Sequence, residues 1–256
     1  MSVLPCELVD HIIDLLRDSQ TTLSNCCLVS KSWVPRTRTH LFAGVKFRTP
    51  ENLQSWKTTF PDPSTSPACY TKSLLIGCPE VVKITDVKAS GWIGGFSQVV
   101  HLALGPDRFT YEWEIAFFLF RGFSPFLKSL LLDHIVSRPS KLFDFILSFP
   151  LLEDLSLVNC CCLPDNGGGH DELPTAIQPS SPPIFTGTLN LLLMKETEPI
   201  IQRLLSLPGG VHFRKLDLEW HYDNSTPLIM ALVGKCFQSI ESLVIACRGS
   251  CGTCII

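Results

Sequence analysis

The chain has 256 residues, of which 45% are hydrophobic and 18% charged, and its net charge is −3. That charged share lies below the ~25% usual for globular domains, so the chain has ample apolar surface for a core and does not read as disordered. The length suits one large domain or a small one beside a larger one. No Lys/Arg run is present, which leaves nucleic-acid binding without electrostatic support. The densest apolar stretch, Ile115 to Phe120, is six residues long, far short of the ~18–20 that span a bilayer, so no membrane partner is expected. Glu7 and Asp10 interrupt any signal-like apolar run at the start. The expected location is therefore the cytoplasm or nucleus. There the 12 cysteines stay mainly as thiols, and the Asn224-Ser225-Thr226 sequon is not glycosylated.

The first predicted element is a helix beginning near Pro5. Proline suits a first helical turn, and Glu7 and Asp10 suit the positive end of the dipole. Leu8, Ile12, Leu15 and Leu16 then repeat at helical spacing, with Val9 and Ile13 beside them. So wide an apolar face predicts that one part packs inward and another meets a partner. Asp18-Ser19-Gln20 caps a second helix over about 21–29, carrying Leu23, Cys26, Cys27 and Leu28. Ser30 caps a third with Trp33, Arg36, Thr37 and Leu41. Three short helices in about 40 residues make little core of their own, so docking should stabilise them.

Leu4-Pro5-x-Glu7-Leu8, Leu28-Val29-Ser30-Lys31-x-Trp33 and His40-Leu41-Phe42, in that order, resemble an F-box over residues 4 to about 42. Cys6 stands where that family usually has proline or a polar residue. The resemblance implies a module that joins a cullin-based ubiquitin ligase through a Skp-type adaptor. It implies adaptor contacts at Leu4, Pro5, Leu8, Ile12, Leu28 and Val29, with Trp33 packing the module's own core. A plain helical cap on the following domain is the alternative reading of the same residues.

Further along, short x-Leu-x-Leu/Ile segments recur, with first leucines at Leu74, Leu102, Leu130, Leu155, Leu191, Leu216 and Leu243. The steps are 28, 28, 25, 36, 25 and 27 residues, and Phe42-x-x-Val45-x-Phe47 reads as a degenerate first member. Alternation at period two makes each segment a strand with one buried face. Helical patterns intervene over 112–120, 141–149 and 199–207 and from Thr226-Pro227 onward, where Pro199 and Pro227 suit first turns. Leu152-x-x-Leu155-x-Leu157-x-x-Cys160 and Leu127-x-x-Leu130-x-Leu132 resemble leucine-rich repeats, whose units stack to bury a shared core. The consensus asparagine is absent: Pro79, Asp107, Ile135, Cys160, Glu196, His221 and Arg248 hold its place.

The expected architecture is α/β: an N-terminal three-helix F-box over 1–45, then over 46–256 an irregular leucine-rich-repeat-like solenoid with a parallel sheet and outer helices. A compact α/β domain from the same elements is the competing arrangement. Phe149-Pro150-Leu151-Leu152-Glu153-Asp154-Leu155 is similar to F-box proteins of the fungal type. The long step has a cause in Gly167-Gly168-Gly169, Pro174, Pro179, Pro182 and Pro183, which mark a surface insertion over about 160–188. Asp62 through Pro67 reads as a shorter loop. After the last strand, Ser242 to Ile245, an open sheet edge is expected, and completeness of the chain is left open.

Outward strand positions are the candidate target contacts: Leu131, Asp133, Ser156, Val158, Leu192, Met194, Asp217 and Glu219. Leu131, Leu192 and Met194 are unusually apolar for a solvated face, unless another layer of the protein covers them. Chemistry is poorly supported. Cys247-x3-Cys251-x2-Cys254 has the spacing of an iron–sulfur ligand set but the wrong placement, and three thiolates lack a fourth ligand for zinc. Cys160-Cys161-Cys162 is a run whose side chains alternate between faces. His170-Asp171-Glu172 lies in the insertion, and Gly91-x-x-Gly94-Gly95 lacks a phosphate-binding pattern. No catalytic, cofactor or metal residue is therefore assigned, and an adaptor rather than an enzyme is expected. The rival readings are a repeat scaffold outside any ligase and a cysteine-ligated metal or redox enzyme.

Overall fold

A computed structural model describes residues 5–77, 91–105, 113–163, 183–192, 194, 198–221, 226–249 and 252–255. It begins with helices α1 (Cys6–Leu15), α2 (Gln20–Val29) and α3 (Val34–Leu41), the last entered through a 3-10 turn, Lys31–Trp33. The two serine caps stand where the sequence puts them. Ser19 Oγ accepts from Thr22 N at 3.4 Å and Ser30 Oγ from Ser32 N at 3.3 Å. Ile13, Leu23, Cys26 and Thr37 are buried among these helices. Thr37 satisfies its hydroxyl by donating to Trp33 O at 2.6 Å, as a buried polar group must. Trp33 itself is half-buried rather than sealed in the core.

The remainder is mixed α/β with eight parallel strands. They are β1 (Gly44–Phe47), β2 (Ser73–Ile76), β3 (His101–Leu104), β4 (Ser129–Asp133), β6 (Asp154–Val158), β8 (Thr188–Leu192), β9 (Lys215–His221) and β10 (Ser242–Gly249). Each pairs with the next in chain order. Two short strands, β5 (Val136–Ser137) and β7 (Cys161–Cys162), form a second parallel pair. Helices α4 (Pro50–Thr59), α5 (Gly91–Gly94), α6 (Trp113–Phe120), α7 (Pro139–Ile146), α8 (Glu198–Leu205) and α9 (Thr226–Cys236) fall between strands. None of the described helices is long and apolar enough to cross a membrane.

The period-two pattern builds the core. Leu74, Leu102, Leu130, Leu155, Leu189 and Leu216 form one buried row; Ile76, Leu104, Leu132, Leu157, Leu191 and Leu218 form the next. A backbone device repeats beside them. The carbonyls of Ala43, Lys72, Val100, Lys128, Gly187 and Arg214 each accept from two consecutive N–H groups of the following unit, at 2.7–3.2 Å. At the remaining step Gly187 N reaches Glu153 O, while Thr188 N donates to Asp154 Oδ1 at 2.6 Å. This pins every strand entry to its predecessor.

Several expectations need correction. The strand after the insertion registers through Leu155↔Leu189, not Leu191, so the equivalent leucine lies two residues earlier than the Leu191 reading. β1 already belongs to the sheet at Gly44, inside the span assigned to the N-terminal module. The insertion's flanks are ordered: Cys161–Cys162 pairs with Val136–Ser137, and Phe185 is fully buried. Of the insertion, residues 164–182 lie outside the described set. The Asp62–Pro67 loop ends in a 3-10 turn, Pro67–Tyr70. β10 continues past Ile245 to Gly249 and turns back into the antiparallel strand β11 (Gly252–Ile255). Ser242–Ile245 keep an open edge among the described residues. Finally, Cys160, at one of the positions where the repeat pattern leads to an expected asparagine, is buried and bonded to backbone carbonyls. Cys160 Sγ donates to Leu132 O and to Val158 O, both at 3.4 Å.

Candidate functional site

The apolar width of α1 resolves into two stripes. Val9, Ile13 and Leu16 face the other helices, and Ile13 is fully buried. Leu8, Ile12 and Leu15 share the other stripe and stay 51%, 42% and 72% exposed. At the end of α2, Leu28 and Val29 are 85% and 66% exposed, while Leu23 and Cys26 turn inward. Pro5 is exposed at the N-cap of α1. Five of the six expected adaptor contacts are thus uncovered by the protein's own residues. The sixth, Leu4, lies outside the described residues. Leu15 belongs with the uncovered set and was not among the expected contacts, although its i+7 spacing from Leu8 was visible.

An ion cluster fixes which stripe of α1 points outward. Arg36 Nε donates to Asp14 Oδ1 at 2.6 Å and Arg36 Nη2 to Asp14 Oδ2, while His40 Nε2 lies 2.8 Å from Asp14 Oδ1. The bidentate geometry is the stronger form of the charge pair. The Arg36 hydrogen bonds, and then that of His40, hold the Asp14 carboxyl far below the usual carboxylate range. In return the Asp14 hydrogen bond raises the Arg36 guanidinium. α1 is thereby clamped to α3. At the end of α3, Phe42 meets Trp56 and Phe60 edge-on, with ring centroids 5.9 and 6.0 Å apart. The helical module is therefore joined to the sheet by aromatic packing.

The expected target contacts, save one, share the outward face of the sheet. Leu131, Ser156 and Asp217 stand in one row with Leu75, Ala103 and Asn190. Asp133, Val158 and Leu192 form the adjoining row, and Glu219 pairs with Ala246 further along. All are half-buried. Met194 is the exception. It is only 2% exposed and belongs to the core, because β8 ends at Leu192 and the strand alternation stops there.

Polar contacts on this face were not foreseen. Asn190 Nδ2 donates to Ser156 Oγ at 3.1 Å. Asp133 Oδ1 lies 2.8 Å from His134 Nδ1 and accepts from Asn159 Nδ2 at 3.4 Å. His134 and Asn159 both take positive φ, 55° and 51°, in the turns leaving β4 and β6, a conformation asparagine and histidine adopt more readily than most.

Cys247 and Cys254 stand opposite each other in the β10–β11 register, and Cys251 lies outside the described residues. No three His, Cys, Asp or Glu side chains among the described residues converge to hold a metal ion. His170-Asp171-Glu172 is also outside the described set. Comparison with protein-family models and with curated proteins gives no match.

Proposed function

We propose that this chain is the substrate receptor of a cullin-based, SCF-type ubiquitin ligase. Its N-terminal helices act as an F-box that binds a Skp-type adaptor. Its sheet domain, built as an irregular leucine-rich-repeat-like solenoid, holds a protein target. One observation carries the reading: Leu8, Ile12, Leu15, Leu28 and Val29 are open to solvent on a module that has its own buried residues. Clustered exposed aliphatics of this kind mark interaction surfaces, and a few such anchors in a groove supply most of the affinity of a helical docking motif.

Pro5, Leu8, Ile12, Leu28 and Val29 are the anchors, with Leu15 added and Leu4 retained from the sequence motif. The Asp14–Arg36–His40 cluster is a positioning element that presents them. The target face comprises Leu131, Asp133, Ser156, Val158, Leu192, Asp217 and Glu219. Catalysis belongs to other subunits. The receptor holds the target beside a charged conjugating enzyme and raises its effective concentration there.

The test is a binding titration of the purified chain against a Skp-type adaptor. The wild type is expected to bind, and Leu8→Ala with Leu28→Ala is expected to weaken binding at least ~tenfold, since truncating an interface anchor commonly costs more than ~1 kcal/mol. Both side chains are exposed, so thermal stability should not change. No binding by the wild type, or binding indifferent to the double substitution, would favour a repeat scaffold outside any ligase.

A further inference from the structure

Beside α4 the surface opens into a cleft of about 250 Å³. Trp56, Phe60, Pro61, Pro63 and Trp92 wall it with rings, and Lys57 is its cation. The rings are anchored from behind. Trp56 packs on Phe60 and Phe96, with centroids 4.8 and 5.7 Å apart, and Trp92 packs edge-on to Phe47 at 5.7 Å. Both indoles and Phe60 nevertheless remain half-exposed, and it is their free surface that lines the cleft. Lys57 Nζ sits 5.5 Å from the Trp92 ring centroid, in cation–π range. None of the described carboxylates pairs with it.

We propose that this cleft binds a small planar aromatic anion, one or two fused rings bearing a carboxylate that pairs with Lys57. The ring walls select a flat apolar body, because aromatic groups stack or meet edge-on with favourable energy beyond their buried area. The volume sets the size. Pockets for drug-sized ligands measure about 300–1,000 Å³, and this cleft falls just below that range. The cation sets the charge. Burial lowers the Lys57 ammonium's pKa from its ordinary value, so a bound carboxylate would restore what desolvation removes. The site is lined by α4, the loop after it and α5 and includes none of the adaptor anchors, so it does not depend on the ligase reading. Trp56 and Phe60 both touch Phe42, so an occupant would also bear on the joint between helices and sheet.

The experiment is saturation-transfer NMR on the full chain with 2-naphthoate and with its neutral counterpart 2-naphthamide. An indole N–H titration with each probe gives the dissociation constants. Naphthoate is expected to bind and to shift indole signals, with naphthamide about tenfold weaker, the factor one charge-assisted contact supplies. Lys57→Gln, at a half-exposed position, removes the charge and should bring the two constants together with only a small change in melting temperature. Absence of naphthoate binding up to about 10 mM, equal binding of the two probes by wild type, or a gap that survives Lys57→Gln would overturn the assignment.

Discussion

Replacing Gly105 by alanine should be among the most damaging single-methyl additions in this protein. Gly105 follows β3 with φ 92°, and its N–H donates to Ile76 O at 2.9 Å. A Cβ built there would lie 2.0 Å from Asp133 O. Reaching even a 3.0 Å contact requires the two backbones to part by about 1 Å. That movement strains the end of β4, where His134 N donates to Val158 O at 2.9 Å. Left-handed geometry alone costs an L-residue roughly 1–2 kcal/mol, and each weakened backbone hydrogen bond adds about 1 kcal/mol. The expected loss is about 3 kcal/mol or more. For a chain of this length that means a fall in melting temperature of about 6–12 °C. Gly122 is the control, because its φ is 62° and a Cβ there meets nothing within 4 Å. Gly122→Ala should cost only the conformational part, about 1–2 kcal/mol. Urea titrations followed by circular dichroism measure both variants. Equal losses at the two positions would show that the clash with β4 is not what makes Gly105 necessary, and the packing argument would fail.

Other expectations follow from charge, burial and exposure. The folded-state pKa of Asp14 lies below its unfolded value, so the folded chain holds its proton less tightly. The clamp's stabilisation is therefore fully present above the ordinary aspartate pKa of about 3.9 and fades as pH falls below it. Denaturation of wild type and Asp14→Asn should show a constant gap between about pH 5 and 7 that narrows below about pH 4; a gap that widens in acid contradicts the clamp. Burial pushes the Cys160 thiol up to about 12, so native protein at pH 7.5 should alkylate at exposed Cys6 and Cys69 long before Cys160, as read by mass spectrometry. Leu28→Lys and Val29→Lys should leave stability within about 0.5 kcal/mol of wild type, because both side chains already face water; a larger loss by urea titration would mean that something in the folded chain covers them.

The leucine rows were legible because a strand's period is two and the repeat supplies the same letters at each step. Where the letters were ambiguous the reading slipped. Leu189, Leu191 and Leu193 satisfy alternation in more than one register. Asp154, through its hydrogen bond to Thr188 N, decides among them. That bond joins residues 34 apart, and no local pattern encodes it. The space for it exists because position 187 is glycine, where a Cβ would lie 2.1 Å from Asp154 Oδ1. Helix α4 was missed for a different reason. Its buried anchor is Leu53, with Trp56 packed partly behind it, too few apolar residues to show a period. Its start was nevertheless written in Thr49-Pro50 and in Asn52, whose side chain accepts from Thr49 N at 3.3 Å. Met194 failed because alternation is a property of strands, and the strand had ended. In α1 both apolar stripes were visible, set about 100° apart by the helical turn. The one that points inward follows from Asp14 meeting Arg36 and His40 across the module, a contact spread over residues 14–40.

Exposed aliphatic side chains occur at several places among the described residues, Leu151 and Ile184 in connecting segments among them, and two of these groups have different causes. Leu243 is 41% exposed although every earlier leucine of its row is buried. It belongs to β10, the last parallel strand among the described residues, and no described helix follows to cover its row. Leu8, Ile12, Leu15, Leu28 and Val29 are not at a margin of that kind. Their helices have an inner side that is filled by Ile13, Leu23 and Cys26, while Leu15, Leu28 and Val29 on the outer side are 72%, 85% and 66% exposed and could carry lysine or glutamate with little loss of packing. Polar residues do occupy exposed positions nearby, at Thr21, Ser24 and Asn25. A module this small gains little from a core alone, and leaving five aliphatic groups in water contributes nothing further to its folding. Contact with a second molecule would convert that exposure into binding free energy. This is why the adaptor titration, rather than any measurement on the isolated chain, decides the ligase reading.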